Sequence, residues 1–303
     1  MIPLSDKKNW AIITLSPKTV FLSSWEISFA VAPSVKYCNL IFSLLEKGIW
    51  SKFLKALNDY EMIQPGDRIA VAISGGKDSM LMAKLFQELQ KFSKIPFEVE
   101  YIAMDPGYHP SIRELMMDNF NYLNIPIKVF ETDIFKIADK IAQDYPCYMC
   151  AKMRRGALYN KTKELGCNKL ALGHHFNDVI ETTMLNMLYT GTFKTMLPRL
   201  KSTNFEGLEL IRPLYYVEEV FIERFTQTNG IWPLNCACMV AAKKTGSKRK
   251  EMKELIANLK KNFNNVDKSI FKAAENVNLD CVLGWQQHGE SFSFLDEFDS
   301  TDE

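Results

Sequence analysis

The sequence predicts an α/β protein: a doubly wound, mostly parallel sheet with extra helices before and after it. Three observations carry that expectation. Strand-period and helix-period segments alternate between Arg68 and Asn229, the pattern of βα units that cover both faces of one sheet. A continuous apolar strand runs directly into Ser74-Gly75-Gly76-Lys77-Asp78-Ser79 and from there into a helical pattern. Amphipathic stretches flank the alternating region, from Lys36 to Tyr60 and over residues 240 to 277.

Residues 1–35 hold short apolar stretches broken by Ser-Pro and Ala-Pro and are expected to form a hairpin or an arm. In the next segment Leu40, Ile41, Leu44, Leu45, Ile49, Phe53, Leu54 and Leu57 recur at three or four, with a phase change near Gly48. That spacing predicts one bent helix or two shorter ones with an apolar face. Gln64-Pro65-Gly66-Asp67 reads as a turn. The run from Arg68 to Ile73 has the continuous apolar character of a strand buried on both faces. Met80, Leu81, Leu85 and Leu89 then mark a helix. Further strands are expected from Phe97 to Met104, Ile127 to Phe130, Lys169 to Leu172 and Glu209 to Arg212. Helices are expected from Pro110 to Leu123, Ile134 to Gln143, Tyr148 to Leu165, Asn177 to Tyr189 and Val217 to Asn229. Two closing helices follow, and the acidic, aromatic end from Gly284 reads as a loosely held tail.

A chain of 303 residues, nearly half apolar and about a quarter charged, supports one substantial core and a soluble globular protein. Its apolar runs are too short to cross a bilayer, and MIPLSDKKNW lacks a signal-peptide pattern, so a cytoplasmic location without membrane attachment is expected. Seven cysteines, an odd number, argue against a disulfide framework and leave metal or redox use open. Cys38, Cys167 and Cys281 read as small core hydrophobes. The near-neutral net charge is uneven: eight acids and no Lys or Arg follow Lys272, so residues 1–272 carry a formal +9. A polyanion fits that body if the positive charge gathers on one face.

The loop after the first strand has a direct physical use. Gly75 and Gly76 let the backbone approach a ligand and aim successive N–H groups at it, and the following helix N-terminus favours an anion. Ser74 and Ser79 offer hydroxyls, Lys77 a mobile positive charge, and Asp78 a carboxylate for magnesium or for fixing the loop. A tight turn would account for the glycines but not for all six residues in a strand-loop-helix context. The spacing is neither GxxxxGK[ST] nor GxGxxG. Ligands on such sheets sit beyond the carboxyl ends of the strands. Asp105 stands there after the second strand, read equally as a ribose or adenine contact and as the turn-former of Asp105-Pro106-Gly107. Gly173, His174 and His175 end the fourth strand, and Asp178 serves either the site or the next helix's N-terminus.

Cys147-Tyr148-Met149-Cys150 sets two thiols at a helix start, where their pKa values fall. With Cys236 and Cys238 they could hold zinc by four thiolates or an iron–sulfur cluster by three, with one iron left open. A persulfide or redox pair without metal is the rival reading.

The strand-loop-helix element resembles the PP-loop family of ATP pyrophosphatase-type enzymes. Four stretches in order narrow the resemblance to tRNA 2-thiocytidine synthases: Tyr60 to Met80 (YEMIQPGDRIAVAISGGKDSM), Cys147 to Asn160 (CYMCAKMRRGALYN), Gly173 to Pro198 (GHHFNDVIETTMLNMLYTGTFKTMLP) and Ile211-Arg212-Pro213-Leu214. The resemblance covers about Ile49 to Leu259. It implies ATP and Mg2+ at Ser74, Gly75, Gly76, Lys77, Asp78, Ser79, Asp105, Gly173 and His174, with Lys77, Asp78, Asp178, Cys147 and Cys150 in the chemistry. It further implies a [4Fe–4S] cluster held by Cys147, Cys150 and either Cys236 or Cys238, with Cys236 slightly favoured. The cytidine base of a tRNA would be adenylated at its C2 oxygen, and a sulfur from a cysteine desulfurase or inorganic sulfide would then displace AMP. A homodimer would match the resemblance. Residues 1–60 would be an arm and helical segment, 61–235 the catalytic domain, 236–280 the late cysteines and basic helices, and 281–303 an acidic tail.

Two departures stand out. The late motif usually resembles Pro-Cys-x-x-Cys but here reads Pro233-Leu234-Asn235-Cys236-Ala237-Cys238, and Asn177 replaces the first of two adjacent acids. Contacts to RNA are expected from Lys152, Arg154 and Arg155, from Phe193, Lys194, Arg199 and Lys201, and from the basic helix containing Lys243, Lys244, Lys248, Arg249, Lys250 and Lys253. The rivals are 2-thiouridine synthesis, lysidine or amide synthesis, a cluster-free persulfide thiolase, and an RNA-binding protein with structural zinc.

Overall fold

The computed structural model describes residues 48–141, 146–234 and 248–298. The expected arm, the first part of the Lys36 to Tyr60 pattern, Cys38, Cys236, Cys238, Lys243 and Lys244 lie outside the described residues.

Helix α1 (Trp50–Asp59) opens the fold, followed by β1 (Arg68–Ala72), α2 (Lys77–Phe92), β2 (Glu98–Asp105), α3 (Pro110–Tyr122) and β3 (Ile127–Glu131). Helices α4 (Ile134–Ile141) and α5 (Pro146–Glu164) lead to β4 (Lys169–Ala171) and α6 (Phe176–Thr190). Then come β5 (Arg199–Lys201), β6 (Glu209–Ile211), α7 (Glu219–Thr228), α8 (Lys248–Asn262) and α9 (Val266–Ala273). The six strands form one sheet in the order β3-β2-β1-β4-β6-β5. Its pairs are parallel except β5, which runs antiparallel to β6.

Strand periodicity sorts β1 between two cores. Ile69 and Val71 enter the main cluster with Phe53, Met80, Phe86 and Phe225, while Ala70 and Ala72 face the smaller cluster of Tyr159, Leu170 and Leu208. Ile69, Ala70 and Val71 are fully buried, as a central strand covered on both faces requires. The closing helices belong to the main core: Ile256 and Phe271 are part of it, and the Phe271 ring stacks on Phe176 at 5.0 Å.

Two elements differ from expectation. Strand β5, only Arg-Leu-Lys, is too short to show a period, and Arg199 spends its guanidinium on the fold. Its Nε donates to Glu209 Oε2 at 2.9 Å and its Nη1 to the Glu61 carbonyl at 2.8 Å. The expected tail is instead a hairpin of β7 (Gly284–Gln287) and β8 (Glu290–Ser293), entered by a 3-10 turn at Leu279–Cys281 and followed by the short α10 (Leu295–Phe298). His288 and Gly289 sit at φ 53° and 88°, the two left-handed positions of a type I′ turn. Trp285 stacks on Phe292 across it at 5.4 Å. Cys167 is buried as expected, its thiol pushed up to about 11 by burial, but Cys281 is exposed and so is no core residue. Among the described residues no helix is long and apolar enough to cross a membrane.

Candidate active site

From β1 the chain winds one way to β2 and β3, and from β4 the other way to β6, so the order reverses between β1 and β4. Their carboxyl ends frame the crevice where such sheets take ligands. A cavity of about 290 Å³ opens there, lined by Ser74, Asp78 and Ser79 after β1, by Gly173 and His174 after β4, and by Arg154 and Leu158 of α5.

The loop after β1 is folded on itself. The Ser74 N–H donates to Ser79 Oγ at 3.1 Å, and the Ser79 hydroxyl donates to the Gly76 carbonyl at 2.9 Å. Gly75 has φ +81°, and a Cβ there would stand 2.7 Å from Leu234 Cδ1. Gly76 caps α2 without any side-chain acceptor, which leaves the first-turn N–H groups of a 16-residue helix for an anion. Gly173 packs on that same turn, since a Cβ there would lie 3.2 Å from Ser79 N and 3.3 Å from the Asp78 carbonyl carbon.

Charge is arranged in pairs around this loop. Lys77 Nζ lies 3.2 Å from Asp78 Oδ1 and 3.1 Å from Glu219 Oε1. Burial lowers the lysine's pKa, but the charges of Asp78 and Glu219 outweigh it and hold the ammonium above its usual value. Asp78 Oδ1 is buried and accepts no aligned hydrogen bond, so Lys77 gives it ion-pair distance only. His175 caps α6: its Nδ1 accepts from the Asn177 N–H at 3.2 Å, and Asp178 Oδ2 accepts from the His175 N–H at 3.1 Å. Its Nε2 then faces Asp178 Oδ2 at 3.5 Å and Asp78 Oδ1 at 3.7 Å. The other Asp178 oxygen takes Arg249 Nη1 from α8 at 2.7 Å. His174 has a buried Nδ1 with no partner among the described residues, and burial above all pushes its pKa down to about 4, so the ring is neutral. Burial, then the Asp178 charge, pushes the Glu181 carboxyl up to about 7.

The structure thus gathers Ser74, Gly75, Gly76, Lys77, Asp78, Ser79, Gly173, His174 and Asp178 in one place. Asp105 Oδ1 accepts from the Gly107 and Tyr108 N–H groups at 2.9 and 2.8 Å, so that oxygen serves the turn, while the neighbouring Met104 lines the cavity. Asn177 has a structural task, its Oδ1 accepting from the Glu219 N–H at 3.0 Å. Glu219 itself escaped the sequence reading, because two acids at a helix start carry no signal beyond favourable dipole placement.

Cys147 and Cys150 are the second and fifth residues of α5. Cys150 is half-buried and shares a helix stripe with Arg154 and Leu158, four and eight residues on, which reach the cavity. Leu234 N–H donates to the Gly75 carbonyl at 2.9 Å, and Cys236 follows it two residues later in the sequence. Among the described residues no group of three His, Cys, Asp or Glu is arranged to hold a metal. Of the basic residues, Arg154 turns into the cavity, and Arg249 and Lys253 are held by Asp178 and Glu219. Lys152, Arg155, Lys194, Lys201, Lys248, Lys250 and Phe193 stay exposed.

Residues 45–233 match the PP-loop domain family. The tRNA-cytidine(32) 2-sulfurtransferase of Syntrophotalea carbinolica is 36% identical over 226 residues, 74% of this chain and 86% of that protein. The enzyme of the same name from Geotalea uraniireducens is 38% identical over 226 residues, 74% and 88% of the two chains. The U34-tRNA thiolase NcsA from Methanococcus maripaludis, solved with its [4Fe-4S] cluster, shares the fold at a TM-score of 0.61 and 24% identity, covering 82% of this chain and 83% of that one. Sequence likeness over most of both chains, on a sheet whose switch point carries the loop of that domain, places this protein in the tRNA-cytidine(32) 2-sulfurtransferase family, built on a PP-loop domain.

Proposed function

We propose that the protein thiolates cytidine 32 of tRNA at C2 in an ATP-dependent reaction, as its relatives' name describes. One observation carries the reading: a single cavity joins the uncapped N-terminus of α2 to the helix stripe that begins at Cys150.

A ring carbonyl oxygen is a poor leaving group, so the base must first be activated. Backbone N–H groups of Gly75 and Gly76, with the hydroxyls of Ser74 and Ser79, hold the ATP phosphates, and Lys77 meets the charge that develops as the C2 oxygen attacks the α-phosphate and pyrophosphate leaves. The orphaned Oδ1 of Asp78 suits Mg2+, a hard cation that takes oxygen ligands. Neutral His174 offers a ring nitrogen without a proton-transfer cost, and Asp178 holds the site's second carboxylate against Arg249. Sulfur addition at C2 then releases AMP.

The residues present fit an iron–sulfur cluster: Cys150 on the helix stripe that reaches the cavity, Cys147 three residues before it in the sequence, and a late Cys-Ala-Cys that begins two residues after Leu234, whose N–H is bonded to the phosphate loop. Cys147, Cys150 and Cys236 or Cys238 would hold it, and a [4Fe–4S] cluster with three protein thiolates supplies an iron position open to sulfur. The same reading makes a sulfur donor the second partner after tRNA.

Mass spectrometry of tRNA nucleosides from cells with and without the protein tests the reaction; 2-thiocytidine must disappear with the gene. Unchanged nucleosides, with no AMP released on any tRNA, would make the chain an RNA-binding module. Gly173→Ala, which wedges a methyl against the first turn of α2, is expected to weaken ATP about tenfold, within the cost of ~1–3 kcal/mol for overpacking. Calorimetric titration reads it, and an unaltered Kd would put the nucleotide away from that turn. Neutralising Lys248 and Lys250 should weaken tRNA and flatten the salt dependence by about one to two units of slope, because lost phosphate contacts release fewer counterions. Equal slopes would place α8 off the RNA.

A further inference from the structure

Glu219, the first residue of α7, is placed as no ordinary helix-start acid would be. Its backbone N–H is held by Asn177 Oδ1 at 3.0 Å, its Oε1 lies 3.1 Å from Lys77 Nζ, and its Oε2 takes Lys253 Nζ at 2.6 Å. The side chain is 14% exposed. One carboxylate, anchored from α6, therefore joins the cation of the phosphate loop to a cation of α8. From this geometry we infer that Glu219 is a positioning residue for Lys77, setting where the lysine's charge waits and how easily it passes to a phosphate. The inference rests on the reading that Lys77 serves ATP.

The physical argument turns on what Lys77 does otherwise. A lysine side chain has four flexible carbons and no preferred direction. Its other neighbour is Asp78 Oδ1 at 3.2 Å, the buried acceptor with no aligned hydrogen bond. Without the Glu219 charge, the ammonium keeps only Asp78 beside it and loses the contact that fixes its direction. With Glu219 charged but Lys253 absent, the carboxylate has only Lys77 to neutralise it and grips it harder. Burial raises the Glu219 pKa, yet the Lys253 hydrogen bond and the Lys77 charge bring it below its ordinary value, so the carboxylate is ionised and the two lysines share it. Lys253 thus tunes the grip from outside. The two losses have opposite signs: removing the carboxylate charge frees Lys77 to bind phosphate but misplaces it for the reaction, whereas removing Lys253 keeps Lys77 from the phosphate.

Glu219→Gln and Lys253→Met, made in the full chain and prepared anaerobically, separate the cases. With saturating tRNA, AMP release against ATP concentration is expected to show kcat lowered about 10- to 100-fold for Glu219→Gln, the scale of a catalytic group misplaced by about 1 Å, with KM for ATP unchanged or lower. Lys253→Met should raise KM for ATP several-fold. A second reading does not depend on turnover: in NMR spectra of 13C-methylated lysines at constant pH, with the Lys77 signal assigned through Lys77→Arg, Glu219→Gln should shift the Lys77 signal. Wild-type kcat together with an unmoved Lys77 signal overturns the inference. So does a parallel loss of kcat, ATP affinity and melting temperature, the mark of a merely structural acid. If the wild-type protein releases no AMP with any tRNA, the proposed reaction fails instead, and the Lys77 signal still decides whether Glu219 holds that lysine.

Discussion

Lys77→Ala is expected to reduce AMP and thiolated tRNA by about 100-fold or more while leaving tRNA affinity nearly intact, the size of effect seen when a donor aimed at developing charge is removed. The fold should survive the change, because Glu219 retains Lys253 at 2.6 Å and the loop retains its Ser74, Gly76 and Ser79 hydrogen bonds. Release of labelled AMP and pyrophosphate, measured beside filter binding of tRNA, checks both halves of the expectation. Unchanged turnover at saturating ATP would remove Lys77 from the reaction.

A second large effect is expected at the late cysteines. On the proposed reading Cys147 and Cys150 would provide two ligands, and a cluster with an open iron needs one more thiolate. In an extended chain Cys236 and Cys238 would point the same way, whereas a turn can send only one inward. Cys236 is two residues from Leu234, whose N–H is bonded to the Gly75 carbonyl, and so stays the closer of the two to the phosphate loop along the chain. Cys236→Ala is expected to lose most cluster iron and activity, and Cys238→Ala to keep the cluster with at most a modest loss of rate or stability. Anaerobic iron quantification and electron paramagnetic resonance of both variants decide it. The opposite pattern reverses the register. Loss in both makes a fully cysteine-ligated cluster the better account and removes the open iron.

The sheet was legible because its inner strands, such as β1 and β4, are buried and separated by long amphipathic helices, which leaves a strong change of period at each boundary. The phosphate loop was legible because two glycines and two hydroxyls must follow a strand in that order to present N–H groups. What could not be read was where long charged side chains turn. Arg154 enters the cavity, Arg199 ties an edge strand to Glu209, and Arg249 reaches Asp178, although all three had the look of an RNA-facing surface. Their partners come from other elements, and local sequence carries no record of them. Asp105 had two local readings of equal weight, and the N–H groups of Gly107 and Tyr108 show that one of its oxygens serves the turn. The terminal hairpin was hidden by acidic composition, and its His-Gly loop is a weaker signal than Asn-Gly.

The docking of α8 and α9 has a consequence for anyone cutting this protein into pieces. The PP-loop match ends at residue 233, which makes that position the obvious place to stop an expressed fragment. Such a fragment would uncover Phe176, Tyr215 and Tyr216, which Phe271 now covers, and would leave Asp178, Glu181 and Glu219 without Arg249 and Lys253. Three neighbouring carboxylates would then repel one another beside the phosphate loop, and each would draw protons or stray cations to itself. The nucleotide-binding unit therefore cannot be transplanted alone: any chimera that exchanges the C-terminal helices must bring replacement cations with it, at the positions of Arg249 and Lys253.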